Sequence, residues 1–416
     1  MKEFLQKIIP QEGGLAGTDS PAYKALIGIF ILLTVIGIGF GLDSVWRGHE
    51  HTFGNTREIP WGLMLAAYLF YVVLATGLLL VSSLGLVFNI ETFKPIARRA
   101  LFVSFICMNA GFILIGFEME NPWNVPIWTM LSPNPTSNIW WMGTLYNPFL
   151  VFMIIQFILL RLGKDKLAGI VGLLAVIFAV AAHGNGGAIF ALLHAREFWY
   201  GPLMPIYFIL ADVMAGCASV IFFTWAAYKL NGWKMDAGIK KALEAVGKLG
   251  ALFYCIMLFL IFFKFLNGFT GQPHGKYEAI MALLTGPYAK NFWIGEIAMG
   301  IIIPLTIILA VKAKKITPMA IGSAISIVGI LFMRYDLVVV GQIVPAYHAY
   351  NIVDLPHLLH YAPTLHEYMI TIGGAAFIGA GFMVGELLFR GHMPALDNEQ
   401  TEKNCCGPKT ACCSKQ

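Results

Sequence analysis

Between His183 and Phe223 the chain gathers the residue types that proton-coupled chemistry needs. His183 is followed by Gly-Asn-Gly-Gly, then comes His194-Ala-Arg196-Glu197-Phe198-Trp199-Tyr200-Gly201-Pro202, and Asp212 sits in the middle of the apolar run that follows. Histidine titrates near neutrality, and a carboxyl group in a low-dielectric wall can hold a proton that water would strip from it. An ionisable side chain inside a membrane span is costly and marks a functional site unless it is simply paired. The combination suits the handling of protons at the oxygens of a redox-active ring, so the stretch reads as one half of a quinone pocket. His183 is expected to end its helix and to contact the ring, with Gly184, Gly186 and Gly187 allowing close approach. A helix-capping role fits His183 equally well.

Further charges fall toward the same side of the chain's apolar runs. Glu58 stands at the mouth of the second run, Glu118 at the end of the third, Lys264 near the end of the seventh and Glu296 just inside the eighth, while Arg334 and Asp336 lie in the ninth. Glu118, Arg57 and Arg196 would shape the pocket mouth, with Trp61 and Trp199 as walls. Asp212, Lys264, Glu296, Arg334 and Asp336 would form a polar network that stabilises or relays protons. The plain alternative is that these groups pair off as clasps between helix ends, since structural ion pairs perturb protonation as well.

The elements that must hold these residues are membrane helices. Hydrophobic residues make up 58% of the 416 and charged residues 12%, about half the charge of a soluble domain, and the mean hydropathy is +0.72. A span needs roughly twenty apolar residues. Ten windows qualify, near 25–43, 60–86, 99–119, 140–161, 167–184, 200–228, 243–267, 292–312, 317–340 and 366–389. The fold expected is all-α and polytopic, with a segment 1–24, a ten-span domain 25–390 and a tail 391–416. Loops after even-numbered spans hold Lys94, Arg98, Arg99, Lys164, Lys166, Lys229, Lys234, Lys240, Lys241, Lys312, Lys314 and Lys315. The positive-inside rule then puts both termini in the cytoplasm of a cell membrane. The +5 net charge serves orientation and is no sign of nucleic-acid binding.

An internal repeat is visible at constant offset: Arg57-Glu58 and Arg196-Glu197, Gly62 and Gly201, Tyr68 and Tyr207, Gly77 and Gly216. It predicts two parallel four-helix bundles, about 57–184 and 196–340, flanked by the first and last spans.

Other cofactor chemistries find little support. Haem in a membrane bundle needs facing axial ligands within spans, whereas nine histidines sit on the predicted outer loops or outer helix ends. His357, His360 and His366 could ligate zinc by spacing alone, but loop shaping explains them as well, and no metal site is assigned. There is no Cys-x2-Cys cluster for iron–sulphur ligation; Cys405, Cys406, Cys412 and Cys413 form an isolated tail motif, expected to be reduced and cytoplasmic. Electrons must therefore leave through a partner.

The motifs Arg57-Glu58-Ile-Pro-Trp61-Gly62, Pro95-Ile-Ala-Arg98-Arg99-Ala, His183, Arg196-Glu-Phe-Trp199-Tyr-Gly-Pro202 and Arg334-Tyr-Asp336…Gly341-Gln342…Pro345 together resemble the polysulfide-reductase (NrfD-type) family of membrane subunits. The resemblance spans all ten windows, and the length is most like members of hydrogenase-2-type and heterodisulfide-reductase-like menaquinol-oxidising complexes. It implies a subunit without haem or iron–sulphur cluster that exchanges electrons between menaquinone or menaquinol and a ferredoxin-like iron–sulphur subunit docked outside, in sulphur- or sulphate-type anaerobic respiration. The cysteine tail is not part of that family pattern. Rival readings are a secondary transporter, which parallel repeats also suit, and a purely structural membrane anchor.

Overall fold

A computed structural model of the protein describes residues 20–345, 347, 352 and 356–389. Most of the N-terminal segment, His348, His392 and the cysteine tail lie outside the described residues. Ten helices are long and apolar enough to cross a membrane: α1 Pro21–Arg47, α2 Leu63–Leu86, α3 Lys94–Glu118, α4 Asn138–Arg161, α5 Asp165–Ala191, α6 Leu203–Leu230, α7 Ala237–Gly271, α8 Asn291–Ala310, α9 Ile316–Ile343 and α10 Leu365–Phe389. No strand occurs among the described residues. The protein is an all-α polytopic membrane protein. In hydrocarbon a backbone amide must be satisfied within its own segment, and side-chain caps close several helix starts: Ser20 accepts from the Tyr23 amide and Asp236 from the Ile239 amide.

One structural departure at the expected site concerns His183. The helix that carries it runs on to Ala191, so Gly184-Asn-Gly-Gly is helical and His183 lies about two turns inside α5. Glycine weakens a helix by about 1 kcal/mol per residue in water, but inside a membrane an open amide costs several times that. Gly187 also lets α5 rest on the backbone of Met204 and Pro205, where a Cβ would come within 2.7 Å of Pro205 Cα.

The helices are not equally placed. In α2, 89% of the most apolar window is buried by other helices, against 11% in α1, so α2 is central and α1 peripheral. α2 packs on α3, α6, α9 and α5, and α6 packs on α7, α2, α9 and α5. At the α2–α6 crossing Gly77 and Gly216 face one another, and a Cβ on either would strike the other's backbone.

Two ends of the bundle differ in chemistry. The lysine-rich end holds a buried clasp, Arg99 donating to both carboxylate oxygens of Glu386 at 2.8 and 3.2 Å, with the guanidinium over the Tyr228 ring. Among the described residues the histidine-rich end carries three short helices, His49–Thr52, Asn124–Leu131 and Lys276–Leu284. The first turns of α8, Asn291–Ile302, are a π-helix before the backbone resumes α geometry at Ile303. π geometry is rare and concentrates at functional sites; here it carries Glu296. Orientation has a direct check: cysteines introduced in 120–139 are expected to react with an impermeant thiol reagent in intact cells, and cysteines in 232–241 only after lysis. The reverse labelling pattern would invert the positive-inside assignment.

Candidate functional site

The middle of the bundle, toward the histidine-rich end, holds a cluster of polar groups with no exposure. His183 from α5 shares a hydrogen bond through Nδ1 with Thr76 Oγ1 of α2 at 3.1 Å, and the same nitrogen lies 3.3 Å from Asp212 Oδ1 of α6. His183, Asp212 and Arg334 are all fully buried. The Arg334 guanidinium of α9 stands 4.5 Å over the Phe208 ring and 5.8 Å from Tyr207, within Coulomb range of Asp212, Glu296 and Tyr146. His183 meets Phe208 edge-on at 5.6 Å, so Phe208 lies against both the imidazole and the guanidinium.

This cluster is charged but not closed. None of the three Arg334 guanidinium nitrogens has a hydrogen-bond partner among the described residues, nor has His183 Nε2 or either Asp212 oxygen. Buried polar atoms are normally satisfied, and each exception calls for an explanation. A set of donors and acceptors facing one another without committed bonds is able to pass a proton or accept polar guests. A pure clasp, such as Arg99–Glu386, would saturate its own groups.

Beside this cluster a small inner cavity of about 10 Å³ is lined by Lys264, Glu296, Asp336, Tyr207 and Phe198 among others, room for about one water. Above it, at the histidine-rich end, a larger cleft of about 280 Å³ is formed by His194, Arg196, Glu197 and Phe198, by His274, Gly275 and Ala279, and by Val340, Gly341, Val344 and Pro345. Three stretches far apart in sequence thus meet to make it. His194 stacks against Tyr200 at 4.4 Å. Arg196 donates to the carbonyls of Gln342 at 2.8 Å, Val344 at 3.3 Å and Glu58 at 2.9 Å. Partial burial lowers its pKa from the usual arginine value, yet a guanidinium stays charged in proteins.

The expected residues therefore divide. His183, Asp212, Arg334, Glu296, Lys264 and Asp336 gather around the buried cluster and inner cavity, and Arg196 reaches the cleft. Neither the cleft nor the inner cavity is lined by His183. Arg57 and Glu58 are exposed, and Glu58 contributes only its carbonyl. Trp61 and Trp199 meet one another at 5.6 Å, but Trp199 is buried and donates to the Leu337 carbonyl at 2.6 Å, so the pair packs α2 against α9 and the 194–200 turn and does not wall the cleft. Glu118 accepts from Asn55 at 3.2 Å in a separate group. There the buried carboxylate of Glu367 accepts from Tyr361, from the Gly54 amide at 3.0 Å and from the Thr364 amide at 2.8 Å. Burial, and then the carboxylate beside it, pushes the Tyr361 hydroxyl well up, so it remains a donor.

Several participants escape a reading of the sequence. Thr76 adjoins the repeat glycine Gly77, Tyr207 is a repeat match, and Gln342 lies in the Gly341-Gln342 motif, so each carries a faint signal. Gln342 clasps Trp61, accepting from its amide at 3.1 Å and donating to its carbonyl at 2.7 Å. Phe198 lies in the Arg196-Glu-Phe-Trp199 motif, while Tyr146, His274 and Glu367 carry no such signal.

Ten helices of membrane-spanning length thus enclose a buried polar cluster with unpartnered atoms, beneath a polar cleft at one end. A family model described as polysulphide reductase, NrfD, matches residues 52–346, and the protein belongs to that family. Its relatives include a selenate reductase subunit of Mesobacillus selenatarsenatis, 25% identical over 398 residues, with 85% of this sequence and 88% of the relative covered. The Hdr-like menaquinol oxidoreductase integral membrane subunit of Archaeoglobus fulgidus is 25% identical over 386 residues, covering 89% and 94%. A polysulfide reductase component of Wolinella succinogenes is 22% identical over 330 residues, covering 72% and 99%.

Proposed function

We propose that the protein is the membrane subunit of a multi-subunit respiratory oxidoreductase, exchanging electrons between menaquinone or menaquinol and an iron–sulphur partner subunit at the histidine-rich end. The observation that carries this reading is the 280 Å³ cleft lined by His194, Arg196 and His274, lying above an inner cavity lined by Lys264, Glu296 and Asp336. Its volume is at the small end for ligand pockets, which suits a ring whose isoprenoid tail lies elsewhere among apolar helices. The names of the relatives support the reading: one is a menaquinol oxidoreductase subunit and two are components of reductases.

A bound quinol supplies two electrons and two protons. The protein's own residues would do the rest. Arg196, pinned to three carbonyls, holds the rim of the cleft rigid, and His194 and His274 present ring nitrogens to an oxygen. Glu296, Asp336, Asp212 and His183 offer successive proton-holding atoms below, and Arg334 fixes the charge around which they are arranged. The preferred direction is quinol oxidation, with protons returned to the histidine-rich side, and by the lysine distribution that side is the outer one, with both termini cytoplasmic. No haem or iron–sulphur cluster is assigned to the protein; a ferredoxin-like partner would take the electrons. The two repeat halves, about 57–184 and 196–340, would be related by an axis through the Gly77–Gly216 crossing. The reciprocal packing of α2 on α9 and α6 on α5 supports this division.

The test is to fill the cleft without touching the buried cluster. Ala195 is exposed and lines the cleft. In the complex purified with its natural partners, Ala195→Trp is expected to lower menaquinol-dependent reduction of the partner's clusters by at least about tenfold, with partner association unchanged. A single hydrogen bond's loss is already worth that much. Full-rate reduction with the cleft filled would sink the assignment of the cleft.

A further inference from the structure

Among the described residues, Phe198 is the one that lines both the cleft and the inner cavity. It is itself only 3% exposed. On its inner side the ammonium of Lys264 sits 3.6 Å from the centre of its ring, with Tyr207 more distant at 5.9 Å. The carboxyl group of Glu296, which also lines the inner cavity, lies within Coulomb range of that ammonium. The Lys264 ammonium, with no ion pair among the described residues, is thus parked on an aromatic face, an arrangement that favours the charge when it is withdrawn from water. The aromatic face is a modest partner for an ammonium group, because any oxygen acceptor that reached Lys264 would bind it more strongly.

We infer that Phe198 is the specificity-setting shutter of this site, and that Lys264 behind it is the group that receives a ring oxygen. The inference rests on the quinone reading of the cleft and deepens it. With Phe198 in place, a guest reaches only the depth of Arg196 and His274. A flat ring entering further must take the position of the Phe198 ring, and it then offers Lys264 what Phe198 cannot, an oxygen. A planar aromatic head group with an oxygen at its leading edge can make that exchange. An aliphatic amphiphile of the same length has no flat ring to take the place of the Phe198 face. The inner cavity, with room for about one water, then lies directly beneath the bound oxygen, beside Glu296 and Asp336.

Two measurements on the intact complex separate the shutter from the ring contact. Met333 lines the inner cavity only. A Met333→Cys variant, read by mass spectrometry at that position, is expected to react slowly with a small water-soluble methanethiosulfonate, and at least about tenfold faster when Phe198→Ala is added. Phe198→Tyr, which keeps the ring, should stay slow. Leu283→Cys on the opposite wall serves the same purpose should Met333→Cys not accumulate. Equal rates with and without the Phe198 ring would overturn the shutter. For the contact, a fluorescent quinol analogue should bind Lys264→Met roughly tenfold to a hundredfold more weakly, the range for a lost hydrogen bond to a charged group. It should bind Phe198→Ala at least as tightly as the unaltered complex, because no ring has to be displaced. Unchanged binding to Lys264→Met would remove Lys264 from the site. Failure of the analogue to bind the unaltered complex would overturn the quinone reading and the Lys264 contact together, while the labelling rates still decide the shutter alone.

Discussion

Replacing Arg334 with methionine is expected to leave little stable protein. The guanidinium has no exposure and no hydrogen bond among the described residues, so its worth is electrostatic: it stands among Asp212, Glu296, Tyr146 and Tyr207. Removing one member of a buried charge set costs about 3–5 kcal/mol, because the remaining charge is left uncompensated in low dielectric. The expected result is a large loss of monodisperse protein in mild detergent and a lowered midpoint of thermal aggregation. Arg334→Lys, which keeps the charge but not the planar fork, should fall between. The diagnostic variant is the double replacement Arg334→Met with Asp212→Asn, which removes the guanidinium together with an acidic group in its Coulomb range and should recover part of the lost stability. If Arg334→Met were as stable as the parent, the cluster would not be held by charge at all.

The second large effect is expected on turnover. Asp212→Asn keeps the shape and hydrogen-bonding capacity of the side chain but cannot exchange a proton at that position. General acid–base groups contribute about 10²–10⁴ in rate, so a fall of at least a hundredfold in quinol-linked electron transfer is expected in a complex that still assembles. His183→Ala removes both the hydrogen bond to Thr76 and the imidazole 3.3 Å from Asp212 and should cost about tenfold to a hundredfold, the worth of one buried hydrogen bond. His360→Ala, at a position remote from the cluster in sequence and absent from both cavities, is the control that should leave turnover intact. Should Asp212→Asn lower only stability and leave the rate unchanged, Asp212 would be a clasp and the proton route would have to run through Glu296 and Asp336 alone.

The ten helices are legible in the sequence because continuous apolarity over twenty residues has few other uses, and the observed ends differ from the sequence windows by a few residues at most positions. His183 reads as a helix end because glycine ordinarily signals a stop. In hydrocarbon the backbone has no alternative to its own helical bonds, and glycine there allows a neighbouring helix to come close. The buried charges are legible one by one, since each is anomalous in its span. Their partners are not. Arg57 and Arg196 look alike in the sequence repeat, yet Arg57 is exposed while Arg196 ties three carbonyls from two other segments. That difference is set by where the end of α9 lies. The cleft is not readable at all, because 194–198, 274–279 and 340–345 meet only after the whole bundle is assembled.

The clasp at the lysine-rich end bears on how such a protein is made. Arg99 and Glu386 are separated by 287 positions, and α10 also receives the Tyr23 hydroxyl on the Met383 carbonyl, places His366 2.9 Å from Asp43, and turns the Glu367 carboxylate to the Gly54 amide. Synthesis delivers the N-terminal helices first, so Arg99 enters the bilayer long before its carboxylate exists. Until then its long side chain has to reach back toward the water. α10 is therefore the helix that ties down α1 and α3, and a protein made without it would hold Arg99 in the membrane without the Glu386 carboxylate that latches it.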